Sequence, residues 1–231
     1  MGAIDFPSNL GTPQVADACA VLGIEFRSGP TGIRPLKSGM RCAGRVLPLP
    51  YDGASERFFQ ILDRAVRGDI LVIDNSGRLD ESCMGDVMAY ELRASGLGGL
   101  VIWGAHRDTE ALAGMDWPIF SLGTNPSAPR RDGGGAPLRV TARCGSSVVS
   151  SDDFAICDVD GVVFVKAEER SRIVNAAEAI TQRETSMIAA LEAGKSLRQQ
   201  LGYDNFVKRQ QKDPSLHFSD HIKEYSTERK I

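Results

Sequence analysis

The sequence predicts an α/β protein with a central parallel βαβ core, antiparallel strands after it and a long C-terminal helix. Three observations carry that prediction. Residues 69–74, 99–103 and 117–122 are compact apolar runs, separated by helix-patterned stretches at 86–94 and 109–113. That alternation is the mark of a parallel sheet with right-handed crossovers. Residues 154–157 and 162–165 are apolar runs joined by Asp158-Val159-Asp160-Gly161, an antiparallel hairpin pattern. Residues 167–193 keep a helical spacing until Gly194 stops it.

The elements follow in chain order. Residues 15–22 space their apolar side chains as a short helix, after a cap at Thr12 with Pro13 in the first turn. Residues 41–49 read as a strand ending at Pro50, and 58–66 as an amphipathic helix stopped by Gly68. The first core strand leads into a loop at 75–85, and the helix at 86–94 ends at Gly96. The second core strand is followed by a loop at 104–108. Residues 125–137, with Arg130-Arg131 and Gly133-Gly134-Gly135, read as a flexible surface loop. Residues 205–231 are polar and charged, an arm lying on a neighbouring subunit or in solvent. The expected division is a domain over 1–166 and an appendage of helix and arm over 167–231.

Composition narrows the class. The chain has 231 residues, 42% hydrophobic, enough to bury a core without disulfide or structural metal. A net charge of −3 argues against nucleic-acid binding, which favours a basic excess. Five cysteines without a C-x-x-C pair speak for a reducing compartment and against a disulfide framework or thiolate zinc site. Residues 1–7 lack the basic and apolar regions of a signal peptide, and Phe6 stands where myristoylation of Gly2 would want Ser or Thr. No apolar run is long enough to span a bilayer. The expectation is a soluble cytoplasmic protein with neither membrane nor nucleic acid as partner.

In a parallel βαβ unit, functional groups gather beyond the carboxyl ends of the strands. The helix after the first core strand begins near Asp86, so its N–H groups and positive dipole end point into that crevice. Arg107-Asp108 follow the second core strand and lie in the same crevice. Twenty residues separate Asp86 from Arg107, the length of one helix, one turn and one strand. Two carboxylates can hold a hard divalent cation, with waters retained in the case of magnesium. An arginine beside them grips a carboxylate bidentately. The sum suits an anionic oxo-acid whose carbonyl a metal polarises. Singly, an Asp at a helix start is often only a cap and an Arg-Asp pair only surface charge. Their joint placement outweighs that account.

Gly85-Asp86, twenty residues and Arg107-Asp108 resemble the D-x20-R-D signature of the RraA-like family, which includes metal-dependent class II pyruvate aldolases acting on 4-hydroxy-4-methyl-2-oxoglutarate and 4-carboxy-4-hydroxy-2-oxoadipate. Val15-Ala16-Asp17-Ala18, residues 39–46 and 68–74, and Asp160-Gly161-Val162-Val163 extend the resemblance over 12–165. It implies a β/β/α swivelling-type fold in homotrimers or homohexamers, with active sites between subunits. It further implies that Asp108 ligates Mg2+ or Mn2+ directly and Asp86 through water. Arg107 would bind the pyruvoyl oxygens, and the backbone around Gly85, Asp86, Val87 and Met88 the substrate carboxylate. The reaction is a retro-aldol cleavage with oxaloacetate decarboxylation beside it. A glutamate from a neighbouring subunit's C-terminal region completes such sites. Glu184, which interrupts the apolar stripe of Ile173, Ala177, Ile180, Met187, Ile188 and Leu191, is the candidate.

The sequence departs from the aldolase pattern at Asn75-Ser76-Gly77-Arg78, at the bulky Trp103 and His106, and in its polar C-terminal extension. His106 has no second histidine near it in sequence to share a metal, so a structural or substrate-facing role is expected. Gly96-Leu97-Gly98-Gly99 precedes a strand, whereas a dinucleotide loop follows one. Lys37, Lys166 and Lys195 sit at turns or element ends, unlike a buried Schiff-base lysine. Nothing pairs Cys83 with a histidine. The rival reading is a non-catalytic regulator that binds a ribonuclease, the role of the family's namesake. Such a role would not require Asp108.

Overall fold

The structure is a computed structural model describing residues 6–7, 9–131, 133 and 138–229. Gly2, with the N-terminal expectation, and Gly134-Gly135 of the expected flexible loop lie outside the described residues. The chain forms two compact units, divided between Ala177 and Glu178.

The first unit opens with α1 (Thr12–Leu22), β1 (Arg27–Ser28), β2 (Arg34–Pro35), β3 (Cys42–Pro50), α2 (Glu56–Leu62) and β4 (Ile70–Asp74). It continues with α3 (Asp86–Ala94), β5 (Gly99–His106), α4 (Thr109–Ala113), β6 (Ile119–Thr124), β7 (Thr141–Cys144), β8 (Ser147–Ser150), β9 (Asp153–Asp158) and β10 (Gly161–Lys166). One sheet runs in the order β1-β10-β9-β3-β4-β5-β6-β2, and β7 and β8 form a separate hairpin. The pairs β3–β4, β4–β5 and β5–β6 are parallel, as the βαβ pattern predicts. β3 belongs to both halves: Val46 to Pro50 pair parallel with β4, and Cys42 to Arg45 antiparallel with β9.

The core strands are apolar throughout because both faces of the sheet are covered. Leu47, Leu49, Leu71, Ile73, Leu100 and Ile102 face one way, packing with Phe58 and Ile61 of α2, Ala89 and Leu92 of α3 and Leu112 of α4. The alternate residues Val46, Ile70, Val72 and Val101 pack with Ala142 and Cys144 of β7 and Val149 of β8. Two strand layers and one helix layer result.

Several expectations are corrected. α1 starts at Thr12 with Gly11 as its N-cap. Thr12 is no cap; its N–H and hydroxyl both donate to Asp158, each at 2.7 Å, so a carboxylate from the β9–β10 turn closes this helix end. α2 ends at Leu62 rather than 66. β5 does not stop at Trp103 but runs to His106, through a register shift between Ile102 and Ala105. Gly104 takes φ +155° there, and a Cβ on it would stand 2.8 Å from that of Asn75. An irregular strand that ends by turning a polar pair outward breaks the apolar pattern, which is why the last residues look like a loop.

A single 3₁₀ turn (Ala167–Glu169) precedes the long helix α5 (Arg170–Glu192), whose C-terminal half begins the second unit. Gly194 stops it as expected, at φ +85°. After α6 (Leu197–Gln200), the stretch expected as an arm over 205–231 holds most of α7 (Tyr203–Gln210) and α8 (Phe218–Arg229). Phe206 is buried among Tyr203, Phe218 and His221, with ring centroids 4.9–5.8 Å from it. His221 Nε2 donates to the Leu201 carbonyl at 3.1 Å. So few apolar residues suffice because the rings pack against one another at tilted angles.

Candidate active site

The crevice beyond β4 and β5 is assembled by a short piece of extra pairing. Ser82 bridges Ala105 in parallel, Cys83 N–H donates to the Ala105 carbonyl at 2.9 Å, and Arg107 N–H to the Met84 carbonyl at 3.0 Å. These bonds set the Gly85-Asp86 turn against Arg107-Asp108. Gly85 is the extended N-cap of α3. Asp86 N–H donates to Asp108 Oδ2 at 3.2 Å, and Val87 N–H to Asp86 Oδ1 at 2.7 Å. Asp108 Oδ2 also stands 3.5 Å from Arg107 Nε. Asp86, Arg107 and Asp108 thus lie together at one helix N-terminus, Asp86 reaching Asp108 through its backbone N–H.

Two local features make that meeting possible. A Cβ on Gly85 would lie 2.0 Å from Asp108 Oδ2 and 3.0 Å from Arg107 Nε, so any side chain at 85 displaces the carboxylate. Asp108 is left-handed, at φ 59° and ψ 40°, a region Asp tolerates better than bulkier residues. It is the N-cap of α4 yet makes no side-chain cap to that helix. Its carboxylate turns instead to α3, with the Arg107 and Asp108 side chains 44% and 39% exposed.

His106 holds this turn from beneath. It is buried, its Nδ1 hydrogen-bonded to Ser121 Oγ at 2.8 Å and its Nε2 to Thr109 Oγ1 at 3.0 Å. Burial lowers its pKa, outweighing the Gly123 carbonyl and the Asp108 charge that raise it. Both ring nitrogens serve hydroxyls, so this His is structural. Trp103 likewise finds a use: its carbonyl accepts from the N–H groups of Asn75 and Gly77, both at 3.1 Å. The two departures from the aldolase pattern, the 75–78 loop and Trp103, are thus bonded to each other.

A cleft of about 220 Å³ opens over the site, lined by Gly85, Asp86, Val87, Met88 and Arg107 together with residues the sequence did not mark: Tyr51, Ser55, Phe58 and Pro129. Tyr51 and Ser55 follow β3, and Pro129 comes from the segment after β6; no local spacing signals their approach. Arg131, expected in a flexible loop, is anchored: its Nε donates to Glu81 at 2.8 Å, it bonds Asn75, and its guanidinium lies 5.8 Å from the Tyr51 ring centre. Burial pushes the Tyr51 phenol up, and the Cys83 thiol up to about 12, so neither ionises at neutral pH.

Glu184 lies half-buried on α5, in the C-terminal unit, whereas Asp86, Arg107 and Asp108 belong to the first. The stripe it interrupts is buried only at its start: Ile173 and Ala177 are covered, while Ile188 and Leu191 are exposed.

The donor set suits one kind of cation. Among the described residues no group of three or more His, Cys, Asp or Glu converges. Asp86 and Asp108 bring two hard carboxylates to this helix end, a donor type that fits a cation keeping several of its waters.

Known proteins bear on the same region. The family description RraA-like (Aldolase/RraA) matches residues 12–164. The protein DlpA of Legionella pneumophila is 25% identical over 201 residues, 83% of this chain. The chain spans about a third of that relative's length, 32%. Among solved structures, an uncharacterized protein from Pseudomonas syringae pv. tomato is 29% identical, with TM-score 0.72 over 83% of this chain and 92% of that one. RraAS2 of Streptomyces coelicolor, described as an unusual member of the RNase ES inhibitor RraA protein family, shares the fold at TM-score 0.70 and 23% identity, over 79% of this chain and 94% of its own.

Proposed function

The chain belongs to the RraA-like (Aldolase/RraA) family, and from that premise we propose that it is a divalent-metal-dependent lyase that cleaves a 4-hydroxy-2-oxo acid to pyruvate and a second oxo-acid. The observation that carries this reading is the under-bonded Asp108 carboxylate, placed beside Arg107 and the first N–H of α3. A protein that only bound a ribonuclease would not need it.

Asp108 and Asp86 would hold Mg2+ or Mn2+, Asp108 directly and Asp86 through water. The bound cation supplies Lewis-acid polarisation of the 2-oxo group. The substrate is a small anionic 2-oxo acid, and Arg107 binds its oxygens bidentately. Departure of the Asp108 carboxylate from the Asp86 N–H leaves that donor, with the backbone of Gly85, Val87 and Met88, for the substrate carboxylate. As the bond between carbons 3 and 4 breaks, negative charge grows on the pyruvate enolate, and Arg107 and the helix N-terminus face it with fixed positive charge. Oxaloacetate decarboxylation passes through the same enolate and is the expected side activity. Glu184 of a neighbouring copy completes the site in a homotrimer or homohexamer.

A lactate-dehydrogenase-coupled assay on 4-hydroxy-4-methyl-2-oxoglutarate, 4-carboxy-4-hydroxy-2-oxoadipate and oxaloacetate tests the reading. The expected result is pyruvate release that depends on added Mg2+ or Mn2+ and stops with chelator. Absence of metal-dependent pyruvate from all three overturns it.

A further inference from the structure

The lyase site uses none of the five cysteines, all of which are free thiols. Two of them face each other at the seam of the sheet. Cys42, the first residue of β3, is the register partner of Cys157 in antiparallel β9. Directly opposed residues in an antiparallel pair have Cα atoms roughly 4.5–5.5 Å apart. A disulfide needs about 4.4–6.8 Å, so the backbone already satisfies it. As opposed residues of an antiparallel pair their side chains lie on the same face of the sheet, where both pack in one apolar cluster. We propose that Cys42 and Cys157 are an oxidation site, a dithiol that closes to a reversible intramolecular disulfide under a peroxide.

The two thiols differ in a way that assigns the order of events. Cys42 is partly exposed, whereas Cys157 is buried, 1% accessible. Burial first, then contact with the Cys42 thiol, holds the Cys157 thiol well above its ordinary value. Cys42 is therefore the thiol a peroxide reaches. Its thiolate attacks one peroxide oxygen, the O–O bond breaks, and Cys42 becomes a sulfenic acid while the other oxygen leaves as water with the thiol proton. Cys157 sulfur then attacks the Cys42 sulfur, the S–O bond breaks, and the hydroxyl departs as water with the Cys157 proton. Two thiols are oxidised by two electrons and one peroxide is reduced to two waters. Cys144 packs in the same cluster, so it is the competing partner the test must separate.

The product would tie β3 to β9, joining the parallel and antiparallel halves of the sheet at the strand they share. This is a single clip, distinct from a disulfide framework, and it leaves Asp86, Arg107 and Asp108 untouched.

The test treats the full chain with hydrogen peroxide, alkylates remaining thiols and maps peptides without reduction by mass spectrometry. The expected result is one intramolecular link between the Cys42 and Cys157 peptides, with loss of two hydrogens in mass and complete reversal by dithiothreitol. The oxidised protein melts at higher temperature than the reduced one. Cys42→Ser and Cys157→Ser each lose the link, whereas Cys144→Ser retains it. A link through Cys144, a link between two chains, or Cys42 and Cys157 both still open to alkylation after peroxide overturns the proposal from the wild-type map alone.

Discussion

Two aspartates at the ends of strands show what separates a carboxylate spent on the fold from one with bonding capacity left over. Asp153, at the start of β9, is 1% exposed and saturated. Arg27 donates to both its oxygens, at 2.6 and 3.2 Å, Lys166 Nζ donates at 2.8 Å and the Ser150 N–H at 2.8 Å. Burial raises its pKa, but the bonds from Arg27, Lys166 and Ser150 outweigh that and leave it lowered. Asp108 has an arginine too, yet that contact is 3.5 Å long, and among the described residues its one N–H bond measures 3.2 Å. It sits in left-handed backbone at the solvent edge. A carboxylate with every lone pair used holds a fold together; one with lone pairs to spare can take a ligand.

The contrast is broken most sharply at Asp108 itself. Asp108→Asn is expected to lower pyruvate release by about a thousand-fold, roughly 4 kcal/mol of transition-state stabilisation. The melting temperature should stay within a few degrees, since Asn tolerates the left-handed turn. Unchanged turnover with normal metal titration by calorimetry would remove Asp108 from the ligand set. The mirror experiment is Asp153→Asn, which leaves Arg27 and Lys166 facing a neutral group. Denaturant unfolding should show a loss of about 3 kcal/mol. In the wild type this contribution is present above about pH 3.9, the unfolded value, and lost as pH falls through the lowered folded value. A loss under half a kcal/mol would mean the saturated site contributes nothing.

Gly85→Ala sharpens the comparison while leaving both aspartates in the sequence. Its new methyl must displace Asp108 Oδ2, the far end of a side chain, so the fold gives way at the site first. Turnover is expected to fall ten- to a hundred-fold, about 1.4–2.7 kcal/mol, with stability little changed. Wild-type kinetics would show that the approach of Gly85 to Asp108 has no functional weight. The smallest effect lies at His106. Its lowered pKa favours the neutral ring, so its share of stability is complete above the ordinary value of 6.5 and declines as pH falls below it. Melting curves at pH 8 and pH 5.5 should show this decline, and His106→Gln should flatten it.

How far these features can be read from residues alone depends on sequence distance. The βαβ core and the convergence of Asp86, Arg107 and Asp108 follow from local period and from a spacing of one helix, one turn and one strand. The saturation of Asp153 does not, because Arg27 lies 126 positions away. Nor does the approach of Tyr51 and Pro129 to the cleft, or of Arg131 to Glu81, which are long-range pairings with no periodic signature. The helices of the second unit give no local signal for another reason: four rings packed together and few aliphatics leave no apolar stripe for a pattern to detect.

The bonds from Thr12 to Asp158 bear on the order in which the protein is made. The partner that satisfies the amino end of α1 is synthesised 146 residues after it. The Cys42-to-Arg45 part of β3 waits equally for β9. Until then the ribosome has released a parallel half whose strands pair within a short stretch of chain, with one edge of β3 bare. Such long closures slow folding and leave a strand edge open to foreign pairing. The cleft over Asp86 and Arg107 is lined by residues between 51 and 129, all of them made before β9.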